Sequence, residues 1–135
     1  MTQQAGSLAG FDHSMFTHDG RAHEVFRAGT GPAVIVIHEM PGLHPGVVEF
    51  AQRLIDAGYT VFLPSLFGRP GEPFSNAAIR RSVAGVAAGA VDQGAITAEE
   101  ARRWLDQLAR AADDGTFLWA TTGFAVAATT PASTS

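Results

Sequence analysis

Residues 33–68, AVIVIHEMPGLHPGVVEFAQRLIDAGYTVFLPSLFG, limit the folds open to this chain more than any other stretch. The apolar run 33–37 has no polar alternation, which predicts a strand covered on both faces. Pro41, Gly42 and Pro45 then mark a loop, with proline tolerated in the first turn of a following helix. Val47, Val48, Phe50, Ala51, Leu54 and Ile55 recur at helical spacing, while Glu49, Gln52, Arg53 and Asp56 fill the other face. This predicts a helix over 45–57, stopped by Gly58. Residues 59–63 follow as a second apolar run, ended by Pro64. Strand, helix and strand in this order predict a right-handed βαβ unit, with strands 33–39 and 59–63 adjacent and parallel.

The flanks are of different character. Met15 to Thr17 and His23 to Arg27 are strand-like runs around Asp19-Gly20, a dipeptide suited to a tight hairpin turn. Residues 1–12 lack periodicity and read as a disordered lead-in. The stretch GRPGEPFSN before Ala77 is a loop. Residues 77–91 are alanine-rich and helical in tendency, weakened by Gly85 and Gly89. Thr97 and Glu100 have the spacing of a capping box. The helix they start has an apolar face of Ala101, Trp104, Leu105, Leu108 and Ala112, and ends at Asp113-Asp114-Gly115. Residues 116–128 are β-prone with no crossover helix after them, which predicts an antiparallel edge strand or hairpin. Trp104, Phe117, Trp119 and Phe124 are expected to pack a core. The expected organisation is a lead-in (1–12), an α/β portion (13–75), a helical segment with a strand or hairpin (76–131) and a disordered tail (132–135). The fold class is α/β, an incomplete βαβ unit followed by helices and the C-terminal antiparallel element.

Composition narrows the functional classes. All nine cationic residues are arginines scattered along a chain of net charge −4, so nucleic acid is not an expected partner. No apolar run approaches a membrane span. The N-terminal MTQQAGSLAG lacks the cationic-then-apolar order of a secretory signal, so the expected compartment is the cytoplasm. The absence of cysteine excludes disulfides, thiolate metal sites and a cysteine nucleophile. His13, His18, His23 and His44 lack helical ligand spacing, so no metal is expected. Gly42 and Gly46 fit no phosphate-binding pattern, so no cofactor is expected.

The chemistry gathers where the first buried strand ends, the edge at which open α/β sheets bind ligands. Glu39 and Met40 stand at its tip, and in an α/β-hydrolase arrangement the loop after such a strand donates a backbone N–H to the oxyanion. The adjacent Glu39 carboxylate has two readings: it orients a nucleophile or acts as a base, or it only shapes the turn. His38 is either a base or a packed, hydrogen-bonded residue of the strand end. Ser65 is the one serine at the C-terminal edge of a predicted strand.

The segment VIVIHEMPGLHPGVVEFAQRLIDAGYTVFLPSLFGRPGEP resembles the front part of the dienelactone hydrolase family, over about residues 15–74. The resemblance implies an α/β-hydrolase fold and hydrolysis of an ester or lactone. It also implies that Glu39 pairs with the nucleophile and that the Met40 N–H helps hold the oxyanion. That family further needs a cysteine or serine on a G-x-[CS]-x-G elbow, then an aspartate and a histidine. No G-x-S-x-G occurs here, there is no cysteine, and no histidine follows His44. Aligning the final GFAVAA with the segment after the elbow puts Trp119 or Ala120 where the nucleophile should stand.

Residues 77–131, including AITAEEARRWLDQLARAADDGTFLWATTGFAVAATTP, resemble the C-terminal end of class I S-adenosylmethionine-dependent methyltransferases. The glycine-rich loop that binds their methyl donor is absent. The chain thus reads as composite, joined near residues 74–77. The expected function is that of a dienelactone hydrolase family member, truncated or composite, without competent hydrolysis. A methyltransferase-like remnant and a non-catalytic α/β binding domain are the alternatives. Apolar surface left uncovered at the join is expected to favour self-association.

Overall fold

The computed structural model describes residues 6–115. The chain divides into two compact units, Met1–Ala101 and Arg102–Ser135. The first unit opens with strands β1 (Asp12–His18) and β2 (Arg21–Ala28), paired antiparallel from Asp12↔Arg27 to His18↔Arg21. Asp19 and Gly20 both take positive φ, 47° and 74°, which closes the two-residue hairpin as the Asp-Gly pair predicts. Just before β1, Leu8 and Phe11 pack on the core.

The βαβ unit forms as expected. Strand β3 (Ala33–Ile35), helix α1 (Pro45–Asp56) and strand β4 (Thr60–Pro64) follow in order, and β3 pairs parallel with β4 in the register Val34↔Val61. β4 also pairs antiparallel with β2, so the sheet order is β1-β2-β4-β3. Val36, Leu43, Ala51, Val61 and Leu63 form the core between sheet and helix, with Phe26, Val34, Val47, Leu54 and Ile55 packed around them. Val47, Ala51, Leu54 and Ile55 of α1 take the inward face that periodicity assigns them, whereas Phe50, expected on the same face, is 52% exposed.

Two expectations for the first buried strand need correction. The strand is short, three residues instead of 33–39, although the Val36 N–H still donates to the Phe62 carbonyl at 2.9 Å. In the parallel pattern, the next bond would come from the N–H of residue 64 to the Val36 carbonyl. Residue 64 is proline and has no N–H, so the ladder stops there. The run is also not covered on both faces. Val36 is 8% exposed, whereas Ile35 and Ile37 are 66% and 65% exposed. Continuous apolar sequence fits a strand between two layers, but here α1 covers one face, and β3 stands at the edge of the described sheet.

Helix α2 (Asn76–Asp92) is capped by Ser75, whose side chain accepts from the Ala78 N–H, and it buries Ala78, Ser82, Val83 and Ala87. Helix α3 (Ala98–Asp113) runs from the first unit into the second. Its start is the predicted capping box: the Glu100 carboxylate accepts from the Thr97 N–H at 2.8 Å, and the Thr97 hydroxyl accepts from the Glu100 N–H at 3.2 Å. Trp104 departs from its expected core position and is 44% exposed. The strand or hairpin expected over 116–128, with Phe117, Trp119 and Phe124, lies outside the described residues.

Candidate functional site at the carboxyl edge of the parallel strands

The residues that follow β3 and those that follow β4 form two loops tied to each other through backbone. In the first, the Gly42 N–H donates to the Glu39 carbonyl at 2.9 Å and the His44 N–H to the Gly42 carbonyl at 2.8 Å. The Met40–Pro41 peptide is cis. His44 caps α1, its Nδ1 accepting from the Gly46 N–H at 3.1 Å, and its ring stands edge-on to Phe74. The second loop packs on the first at three points. The Gly71 N–H donates to the Leu43 carbonyl at 2.7 Å. Gly42, at φ +135°, leaves no room for a Cβ against the Phe67 carbonyl. Gly68, at φ +78°, lies in the same way against the Pro41 carbonyl. That carbonyl also accepts the buried Ser82 hydroxyl of α2, at 2.5 Å.

On this frame the structure places the expected site residues side by side at the strand end. The Glu39 side chain is exposed, and no described hydrogen bond or ion pair engages its carboxylate. Its carbonyl, by contrast, takes both the Gly42 N–H and the His38 ring. Met40 is half-buried, and no described acceptor takes its N–H. Ser65 is buried, and its backbone N–H donates to the Glu24 carbonyl at 2.8 Å.

His38 takes the packed, hydrogen-bonded course. It is buried, its Nδ1–H donates to the Glu39 carbonyl at 3.0 Å, its Nε2 accepts from the Leu66 N–H at 2.9 Å, and it meets Phe67 edge-on. Burial holds its pKa below the ordinary histidine value of 6.5; the Glu39 carbonyl opposes that shift and the nearby His44 adds to it. The neutral ring is therefore the form the fold selects.

Three contributors were not marked by sequence reasoning. Ser82 sits mid-helix, where only a period of burial including a hydroxyl would have pointed to it. Gly68 read as loop punctuation with no partner to indicate a close approach. His23 read as a hairpin residue, yet its Nδ1–H donates to the Ser65 carbonyl at 3.2 Å. Among the described residues no group of three His, Asp or Glu side chains is placed to hold a metal. No described helix is long and apolar enough to cross a membrane.

An antiparallel hairpin feeding a parallel β4–β3 pair, with a crossover helix on one face and a Glu-bearing loop at the carboxyl edge, is an α/β-hydrolase-like core whose sheet is left open. The sequence profile of the dienelactone hydrolase family matches residues 19–118, and the chain belongs to that family. The match runs well past residue 74, so the likeness is not confined to the N-terminal portion. It takes in α2, α3 and much of the segment read above as methyltransferase-like. Among solved structures, the chain is similar to an epoxide hydrolase from Vigna radiata at 17% identity and a TM-score of 0.35, over 62% of this chain and 28% of that one. It is also similar to an epoxide hydrolase from an endophytic Streptomyces at 26% identity and a TM-score of 0.34, over 64% and 27%. The chain thus spans little more than a quarter of the length of these structures. No curated protein matches.

Proposed function

We propose that this chain carries the oxyanion-side half of a cytoplasmic ester- or lactone-hydrolase site, and that the half-site does not turn over substrate by itself. The observation that carries the reading is the loop 38–42, held by backbone at the carboxyl edge of β3 and β4, with no acceptor for the Met40 N–H among the described residues and the Glu39 side chain exposed. The roles are divided between those two residues. The Met40 N–H donates to the negative charge that develops on a substrate carbonyl oxygen. Glu39 orients the attacking group or accepts its proton. An oxyanion donor stabilises only charge that a nucleophile has created. The sequence holds no cysteine, no G-x-S-x-G and no histidine beyond His44 to create it. Ser65 is a poor substitute, because it is buried and its peptide groups are fixed on both sides.

Release of nitrophenol from short-chain nitrophenyl esters tests this. The wild-type chain and Glu39→Ala are expected to give the same rate, with no burst. A stoichiometric burst abolished by Ser65→Ala would overturn the reading.

A second expectation concerns association. Ile35, at the end of the edge strand β3, and Ile37, two residues past it, are both exposed. Apolar edges of this kind recruit further strands or copies unless a charge guards them. Sedimentation velocity across a concentration series should show wild-type self-association, and Ile35→Lys with Ile37→Glu should restore the monomer. A wild-type chain that stays monomeric throughout would contradict this.

A further inference from the structure

Peptide 65–66, the first after β4, is gripped from both sides by imidazoles. Its carbonyl, on Ser65, accepts His23 Nδ1–H from β2 at 3.2 Å. Its N–H, on Leu66, donates to His38 Nε2 from the loop after β3 at 2.9 Å. The outer nitrogen of His38 donates to the Glu39 carbonyl at 3.0 Å. One ring thus links the loop that carries Glu39 and Met40 to a peptide on the neighbouring loop, and a second ring holds that peptide to a third strand. Because Pro64 cannot continue the β3–β4 ladder, these contacts replace the backbone bonds that would otherwise join the two strand ends.

We propose that His23 and His38 form a two-imidazole clamp on peptide 65–66, closed while His38 is neutral and opened when His38 is protonated, which breaks the link between the Glu39–Met40 loop and that peptide. A backbone N–H needs an acceptor, and Nε2 accepts only while it carries no proton. Protonation turns that nitrogen into a donor aimed at another donor, so the Leu66 bond is lost and two N–H groups are left facing each other in a buried place. His23 and Glu24 lie on β2, the latter with its carboxylate 3.1 Å from His13 Nε2. Glu39 and His44 lie on the loop between β3 and α1. His44, whose charge at low pH adds to that of His38, works in the same direction. The clamp acts on loop geometry and does not depend on the hydrolytic reading.

The sign follows from the lowered pKa of His38. Between that value and 6.5 the unfolded chain binds the proton and the folded chain does not. The contribution to stability is therefore whole above pH 6.5 and is lost as pH falls through this window, being fully gone below the folded value.

Nitrogen-15 NMR of the intact chain tests the proposal. At neutral pH, His38 should show a protonated Nδ1 and a bare Nε2. Its titration should fall below 6.5, and the exchange protection of the Leu66 amide should drop on the order of tenfold over the same range. His38→Phe keeps a ring against Phe67 without an acceptor, and should give low Leu66 protection that no longer varies with pH. The wild-type titration decides the matter even where that variant fails to fold. A proton on Nε2 of the neutral ring, or Leu66 protection that stays constant while His38 titrates, would overturn the clamp.

Discussion

Replacing Leu63 with alanine is expected to remove about 2–5 kcal/mol of stability, a large share of what a domain of this size holds. Leu63 is fully buried in β4, which pairs on both sides, with β2 and with β3. Its side chain fills the cluster made with Val36, Leu43, Ala51 and Val61. A truncation there leaves a cavity lined by sheet and helix, elements that cannot close it without breaking paired backbone. Only one layer of helix covers this sheet among the described residues, so the cluster holds a large share of the core. Urea denaturation followed by circular dichroism would show the lower midpoint with an unchanged slope. A midpoint shift worth less than about 1 kcal/mol would place the core elsewhere.

Gly68→Ala is expected to produce the second large effect, for a different reason. At φ +78° an L-residue is strained, a cost of about 1–3 kcal/mol. Here the added Cβ would also collide with the Pro41 carbonyl, a backbone atom that cannot rotate away. That carbonyl is the acceptor for Ser82 of α2, so displacing it disturbs the loop 38–42 and the helix together. Gly20→Ala is the control: it has a similar φ of +74°, with nothing within 4 Å of the new Cβ. Denaturation of the two variants side by side separates backbone strain from collision. If both lose equal stability, the packing of the two loops contributes nothing.

The sequence made the local elements legible because each rests on short-range chemistry. The hairpin turn follows from Asp19-Gly20, α1 from its apolar stripe, α3 from the Thr97–Glu100 box, and the parallel pair from two apolar runs joined by one helix. Solvent exposure was less legible. The residues at 33–37 are apolar on both sides, and such a run looks the same whether its second face is covered or bare. Only the fold, with α1 on one face of the sheet, shows that Ile35 and Ile37 are left exposed. At the proposed site, the placement of Glu39 and Met40 just past a strand end is readable from the sequence. The network that holds them was not, because His23, Ser65, Leu66 and Ser82 come from distant parts of the chain and meet there only through the fold. His38 illustrates the difference: as a residue type it suggested a base, whereas its two hydrogen bonds make it a brace.

The proposed oxyanion-side half-site has no nucleophile to serve it. A fluorophosphonate probe, which forms a covalent adduct with activated serines, tests that claim most directly when followed by intact-mass measurement of the full chain. An unchanged mass is expected at probe concentrations that label a competent serine hydrolase to completion. A single stoichiometric adduct, mapped to one serine and suppressed by Glu39→Ala, would contradict it.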